Sequence, residues 1–157
     1  MTRAIGFRTS PSTVYYAIVE LLADGDMKVI SLDQVNIPKC LPLPEQLKHI
    51  RNNILDILSE YDIFHAGVRT TEPFAPSINI TRVSIEAVIQ ELFASSCLRS
   101  FYVGSIATIS KRNGFPTPDF KKYVSNEKEF TRIDKFNDYS KEIKEALLTA
   151  IGAFDVN

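Results

Sequence analysis

Apolar and polar positions along the chain fall into short alternating runs first and helical stripes later. In Arg3–Arg8, Ile5 and Phe7 fall on one side of a strand, and Ala4 and Gly6 on the other, where small residues let a helix come close. Thr9–Ser12 is turn-rich, and Thr13–Val19, with its β-branched and aromatic residues, predicts a second strand. The Asp-Gly turn within Ala23–Asp26 leads into a third, Met27–Leu32, antiparallel to the second, so the chain opens on a meander. The end of the first strand is where chemistry is expected. Residues 33–42 read as a connecting loop. Pro44 suits the first turn of a helix that runs to about Tyr61 on a stripe of Leu47, Ile50, Ile54, Ile57, Leu58 and Tyr61. Its other face, with Lys48, Arg51 and Asp56, reads as solvated surface. Asp62–Val68 is apolar on both faces, as a buried parallel strand would be, with His65 a sheet histidine rather than a ligand.

After a loop at 73–80, Ile85, Val88, Ile89, Leu92 and Phe93 mark the buried face of a helix from about Thr81 to Ser95. Ser100–Gly104 predicts a fifth strand, and Ser105–Arg112 a short helix stopped by Asn113-Gly114. Another short helix is expected near Asp119–Val124. Residues 125–137, which include Phe130 and Phe136, read as a partly ordered loop. A last helix is expected from about Ser140 to Ala153 with Ile143, Leu147, Ala150, Ile151 and Phe154 inward. Three meandering strands followed by alternating helices and strands, with right-handed crossovers, predict a mixed five-stranded sheet of order 3-2-1-4-5. That is the element order of an RNase H-like α/β fold, expected as a single domain over residues 1–157.

Composition narrows the classes. A chain of 157 residues, 45% of them hydrophobic, suits one sizeable core. A net charge of -1 provides no global basic field, so any nucleic-acid binding needs a local patch. Cys40 and Cys97 are isolated and His49 and His65 are the only histidines, which argues against a disulfide scaffold and a His-based metal site. No secretory signal and no membrane-length apolar run is visible, so the expectation is a cytoplasmic protein with no membrane association. No Gly-rich phosphate loop and no G-x-S-x-G elbow occurs.

Three short motifs carry a resemblance. Ala-Ile-Gly-Phe-Arg-Thr-Ser (4–10), Tyr-Val-Gly-Ser-Ile-Ala-Thr-Ile-Ser-Lys-Arg-Asn-Gly (102–114) and Glu-Ala-Leu-Leu-Thr-Ala-Ile (145–151) resemble three segments of RuvC-type Holliday-junction resolvases. These are the opening strand, a strand-to-helix segment and the final helix. The resemblance implies two-metal phosphodiester hydrolysis, with carboxylates from the first strand, the fourth strand and the last helix holding Mg²⁺ ions roughly 3.5–4 Å apart. Carried onto this chain, the first-strand Asp falls on Arg8, the fourth-strand Glu near Gly67 or Val68, and the last-helix acid on Glu145. Only the last retains a carboxylate. Arg8 would repel a metal, and is suited instead to a phosphate or to pairing with Glu145.

Three functional classes follow. In the first, a RuvC-like domain with a degenerate metal site and no cofactor serves a non-catalytic role, on DNA or RNA or in a protein complex. Arg3, Arg8, Arg69 and Arg82 would contact phosphates, Lys111, Arg112, Lys121 and Lys122 would extend the basic surface, and Tyr102 or Phe115 would stack on a base. The simpler reading makes these ordinary surface cations. In the second class, a nuclease acting on structured DNA uses relocated carboxylates Glu72, Glu86 and Glu145, with Glu91 as a further candidate, and Mg²⁺ or Mn²⁺ held by Glu72 and Glu145. Against it stands a reading with Glu86 paired to Arg82, Glu91 solvated and Glu145 paired to Lys141. In the third, an oligomeric scaffold, such as a homodimer, uses exposed aromatics around Phe130 and Phe136.

Overall fold

The computed structural model describes residues 1–154. Its elements run β1 (Thr2–Thr9), β2 (Thr13–Leu21), β3 (Met27–Asn36), α1 (Leu43–Glu60), β4 (His65–Arg69), α2 (Ile80–Ser95), β5 (Ser100–Gly104), α3 (Ile106–Asn113), α4 (Thr117–Val124), a 3₁₀ turn at Phe136–Asp138, and α5 (Lys141–Ile151). The five strands form one sheet in the order β3-β2-β1-β4-β5. β1 is antiparallel to β2 and parallel to β4, and β4 is parallel to β5. This is the mixed sheet of an RNase H-like α/β fold.

The alternation in β1 divides the molecule. Ile5 and Phe7 enter a core shared with Ile50 and Ile54 of α1 and with Ile85, Ile89, Leu92 and Phe93 of α2. Ala4 enters a second core, on the other face, with Ala146, Leu147 and Ala150 of α5. Gly6 explains how α5 sits so low on the sheet. A Cβ at that position would lie 2.2 Å from the Ala146 carbonyl oxygen and 2.2 Å from the Ala150 nitrogen. Gly67, its partner on β4, leaves similar room for the Tyr102 ring, which a Cβ would approach to 2.4 Å. The Tyr102 hydroxyl donates to the Thr149 carbonyl at 2.7 Å, fastening β5 to α5. Burial pushes this phenol well above its ordinary pKa.

Several boundaries depart from the expected ones for identifiable reasons. β3 continues to Asn36 because Asp33–Asn36 lies on an edge strand, where polar side chains keep their exposure while Thr13↔Asn36 closes the ladder with β2. β4 begins at His65 because Asp62 takes a left-handed φ of 53° in the turn that ends α1. His65 Nδ1 shares a 2.7 Å hydrogen bond with Ser100 Oγ across the β4–β5 ladder, a satisfied sheet histidine. α3 stops at Gly114, whose φ of 80° is the left-handed cap the Asn-Gly pair foretells.

The largest correction concerns residues 125–137. Phe130, Ile133 and Phe136 are buried there. Phe130 packs edge-on against Tyr123 at 5.2 Å between ring centroids and lies 4.9 Å from Phe136. The segment has little periodicity but closes one end of the core beneath α4 and α5, so these aromatics present no exposed surface for an interface. No described helix is long and apolar enough to cross a membrane.

Candidate functional site

The parallel register of β1 and β4 places Arg8 beside Arg69 at the strand ends, both on the face that α5 covers. Glu145 lies in the first half of α5, whose N-cap Ser140 accepts the Ile143 amide. Arg8 Nε donates to Glu145 Oε2 at 2.6 Å, and Arg69 Nη1 lies 3.6 Å from the same oxygen. Arg8 also donates through Nη1 to the Thr9 carbonyl at 2.7 Å. All three side chains are largely buried, so the pairing acts at a reduced effective dielectric. The expected alternative partner of Glu145, Lys141, is thus displaced by Arg8, the pairing that the sequence also allowed.

One residue along, Thr9 points to the other face of the sheet. There the Glu86 carboxylate of α2 accepts through Oε1 from Thr71 Oγ1 at 2.9 Å, Arg82 Nε at 3.1 Å and Thr9 Oγ1 at 3.2 Å. The i,i+4 pairing of Arg82 with Glu86 is the one the spacing predicts. The two clusters together set three guanidinium groups against two carboxylates. The imbalance falls on Arg69. Its Nε is buried with no hydrogen-bond partner, as is Arg82 Nη2. Burial lowers the Arg69 pKa, Glu145 opposes the shift, and Arg8 and Arg82 reinforce it.

The remaining candidates disperse. Glu72, on the loop leaving β4, accepts the Ile106 amide at 2.8 Å and caps the start of α3. Glu91 is bound by Arg51 at 3.0 Å and by Ser95 rather than merely solvated. Arg3 lies at the opposite end of β1 from Arg8, donating to Glu20 and the Tyr61 carbonyl. Tyr102 is buried, and Arg112 covers its ring at 4.3 Å while donating to the Gly152 carbonyl, so that ring has no face to stack on a base. Phe115 is half-buried against Tyr123 and Phe130. Lys111, Lys121 and Lys122 are exposed on α3 and α4, and Phe74, on the loop after β4, is 95% exposed. Sequence reasoning missed Phe74, Thr9 and Thr71. Only the alternation along β1 hinted that Thr9 and Arg8 serve opposite faces.

A cavity of about 310 Å³ opens beside Glu145, lined by Arg69, Lys121, Ser125 and Lys141 with Phe120 and Val124 as an apolar wall. Two-metal hydrolysis needs carboxylates grouped and free to bridge cations. Among the described residues no group of three or more His, Cys, Asp or Glu side chains is placed to hold a metal ion. Glu145 is occupied by two guanidinium groups, Glu86 by two hydroxyls and Arg82, and Glu72 by a helix amide. This donor set does not fit a divalent cation.

No family model and no curated protein matches the sequence. Solved structures do match. RuvC of Thermus thermophilus superposes with a TM-score of 0.69 at 12% identity, over 96% of this chain and 92% of that one. The fold is that of the RuvC-type resolvases. The same T. thermophilus protein in complex with a Holliday junction substrate gives 0.66 at 11% identity, covering 97% of this chain and 92% of that one. Fowlpox virus resolvase with its substrate Holliday junction DNA gives 0.55 at 15% identity, covering 96% and 95%. The RuvC-like architecture therefore spans nearly the whole chain, while the arginine-rich strand ends are read from its own residues.

Proposed function

We propose that this chain is a RuvC-like domain that binds nucleic acid without hydrolysing it. The observation that carries the reading is the Arg8–Glu145 ion pair with Arg69 alongside, at the strand ends where two-metal hydrolysis would need free carboxylates. Two of the structurally similar proteins are seen with Holliday junction DNA, which makes a four-way junction the ligand class to try first. Exposed Lys111, Lys121 and Lys122 offer phosphate contacts that position a duplex without reading its sequence. The exposed Phe74 ring is free to lie against an unpaired base.

The test is binding of a labelled four-way junction in EDTA at rising salt. If about four phosphates are contacted, affinity falls roughly 10²-fold between about 50 and 200 mM salt. The junction stays intact when Mg²⁺ or Mn²⁺ is supplied. Cleavage that depends on Glu72 and Glu145 would replace this reading with that of a nuclease. Absence of binding at low salt would leave a protein partner in place of nucleic acid.

A further inference from the structure

We propose that the cavity between the end of β4, α4 and the start of α5 is a phosphate site that works without a metal ion, with Arg69 as its buried anchor and Lys121 and Lys141 at its rim. The proposal rests on the nucleic-acid reading above for the polymer that presents the phosphate. It adds the place and the chemistry of the grip.

Charge counting points to an anion. The cavity is lined by three cations, Arg69, Lys121 and Lys141, and by a single carboxylate, Glu145. That carboxylate is already engaged from the sheet side by Arg8 at 2.6 Å, so it cannot neutralise all three. Arg69 is 8% exposed, and its Nε has no hydrogen-bond partner. A buried guanidinium N–H left without an acceptor is costly, and a second anion beside it would remove that cost. Arg69 Nη1 meets Glu145 only at 3.6 Å, longer than a good hydrogen bond. The guanidinium fork matches phosphate oxygens, whereas the exposed lysines act as mobile point charges at the mouth. Phe120 and Val124 make one wall apolar, and partial exclusion of water strengthens each contact. The depressed pKa of Arg69 is that of a buried cation short of counter-charge. The grip is thus a guanidinium and two ammonium groups, which hold a phosphate without activating water.

The site is tested by calorimetric titration in EDTA with three probes: inorganic phosphate, a 5′-phosphorylated oligonucleotide and the same oligonucleotide with a 5′-hydroxyl. The wild type is compared with Lys121→Glu and Lys141→Glu, both at exposed positions, and with Arg69→Lys, which keeps the charge but loses the fork. Phosphate binding should be unchanged by EDTA, fall at least tenfold in each Lys→Glu variant and weaken in Arg69→Lys. Preference for the 5′-phosphorylated oligonucleotide, with competition by inorganic phosphate, identifies a terminal phosphate. Equal affinity for both oligonucleotides, lost in the variants, identifies an internal phosphodiester. Wild-type junction and phosphate affinities in both Lys→Glu variants would overturn the site while leaving nucleic-acid binding elsewhere on the domain. Phosphate binding that persists in a protein unable to bind any junction would overturn the nucleic-acid reading instead.

Discussion

Glu86 and Glu145 are buried to the same degree at the ends of β1 and β4, one on each face of the sheet, yet they are neutralised in opposite ways. Glu86 has two hydroxyl donors and one arginine. Glu145 has two arginines, one close and one distant. The first cluster comes near to closing on itself, carboxylate against donors. The second carries one cation more than it can satisfy and opens onto a cavity. The difference teaches where an external anion belongs: on the α5 face, next to Arg69, rather than on the α2 face. It also shows why the scaffold tolerates arginine at its centre. The seat of α5 is set by the close approach of its backbone to Gly6, a matter of shape that the charge of residue 8 does not touch.

Removing the acids one at a time should separate the clusters. Glu145→Ala leaves Arg8 and Arg69 buried without their carboxylate and should cost about 3 kcal/mol or more of unfolding free energy, measured by denaturant titration. A loss below about 1 kcal/mol would mean that water reaches the arginines and that the α5 cluster is not buried in solution. Glu86→Gln keeps the shape and one acceptor, and should cost about 2 kcal/mol through weakened charge-assisted bonds. Thr71→Val removes a single hydroxyl donor at 2.9 Å and should cost about 1 kcal/mol. A larger effect for Thr71→Val than for Glu86→Gln would break the picture of a carboxylate-centred cluster.

The smallest effect is expected outside both clusters, at Glu91. The hydrogen bond from Ser95 and that from Arg51 hold its carboxyl below the ordinary range. A lowered folded-state pKa stabilises above the ordinary carboxylate range, and that contribution is lost as the pH falls through the lowered value. Because Glu91 is exposed, Glu91→Ala should lower the unfolding midpoint only slightly near neutrality, and the two proteins should converge as the pH falls. A marked shift at neutral pH would show that the α1–α2 contact depends on this surface pair.

Much of the fold was readable from local pattern. The Ala4/Gly6 and Ile5/Phe7 alternation foretold two unlike sheet faces with a helix packed close against one, and the order of elements foretold the sheet, while the division into two cores came from the structure. The sequence could not show where irregular backbone buries its aromatics. Phe130, Ile133 and Phe136 sit among charged residues without a strand or helix period, so their burial is settled only by contacts with α4 and α5. The site was half legible. Arg8 opposite Glu145 was foreseeable once β1 and α5 were matched to a known architecture, although the two are 137 residues apart. The capture of Glu72 by the start of α3, and of Arg112 by Tyr102, depended on loop paths that no local signal encodes.

The most direct test of the central claim is isothermal titration of the wild-type protein with Mn²⁺, run beside Glu145→Ala. With Glu145 held by Arg8 and Arg69, no saturable binding is expected in either protein. Saturable Mn²⁺ binding by the wild type that disappears in Glu145→Ala would contradict the account, because it would show that this carboxylate leaves its arginines to hold a metal ion.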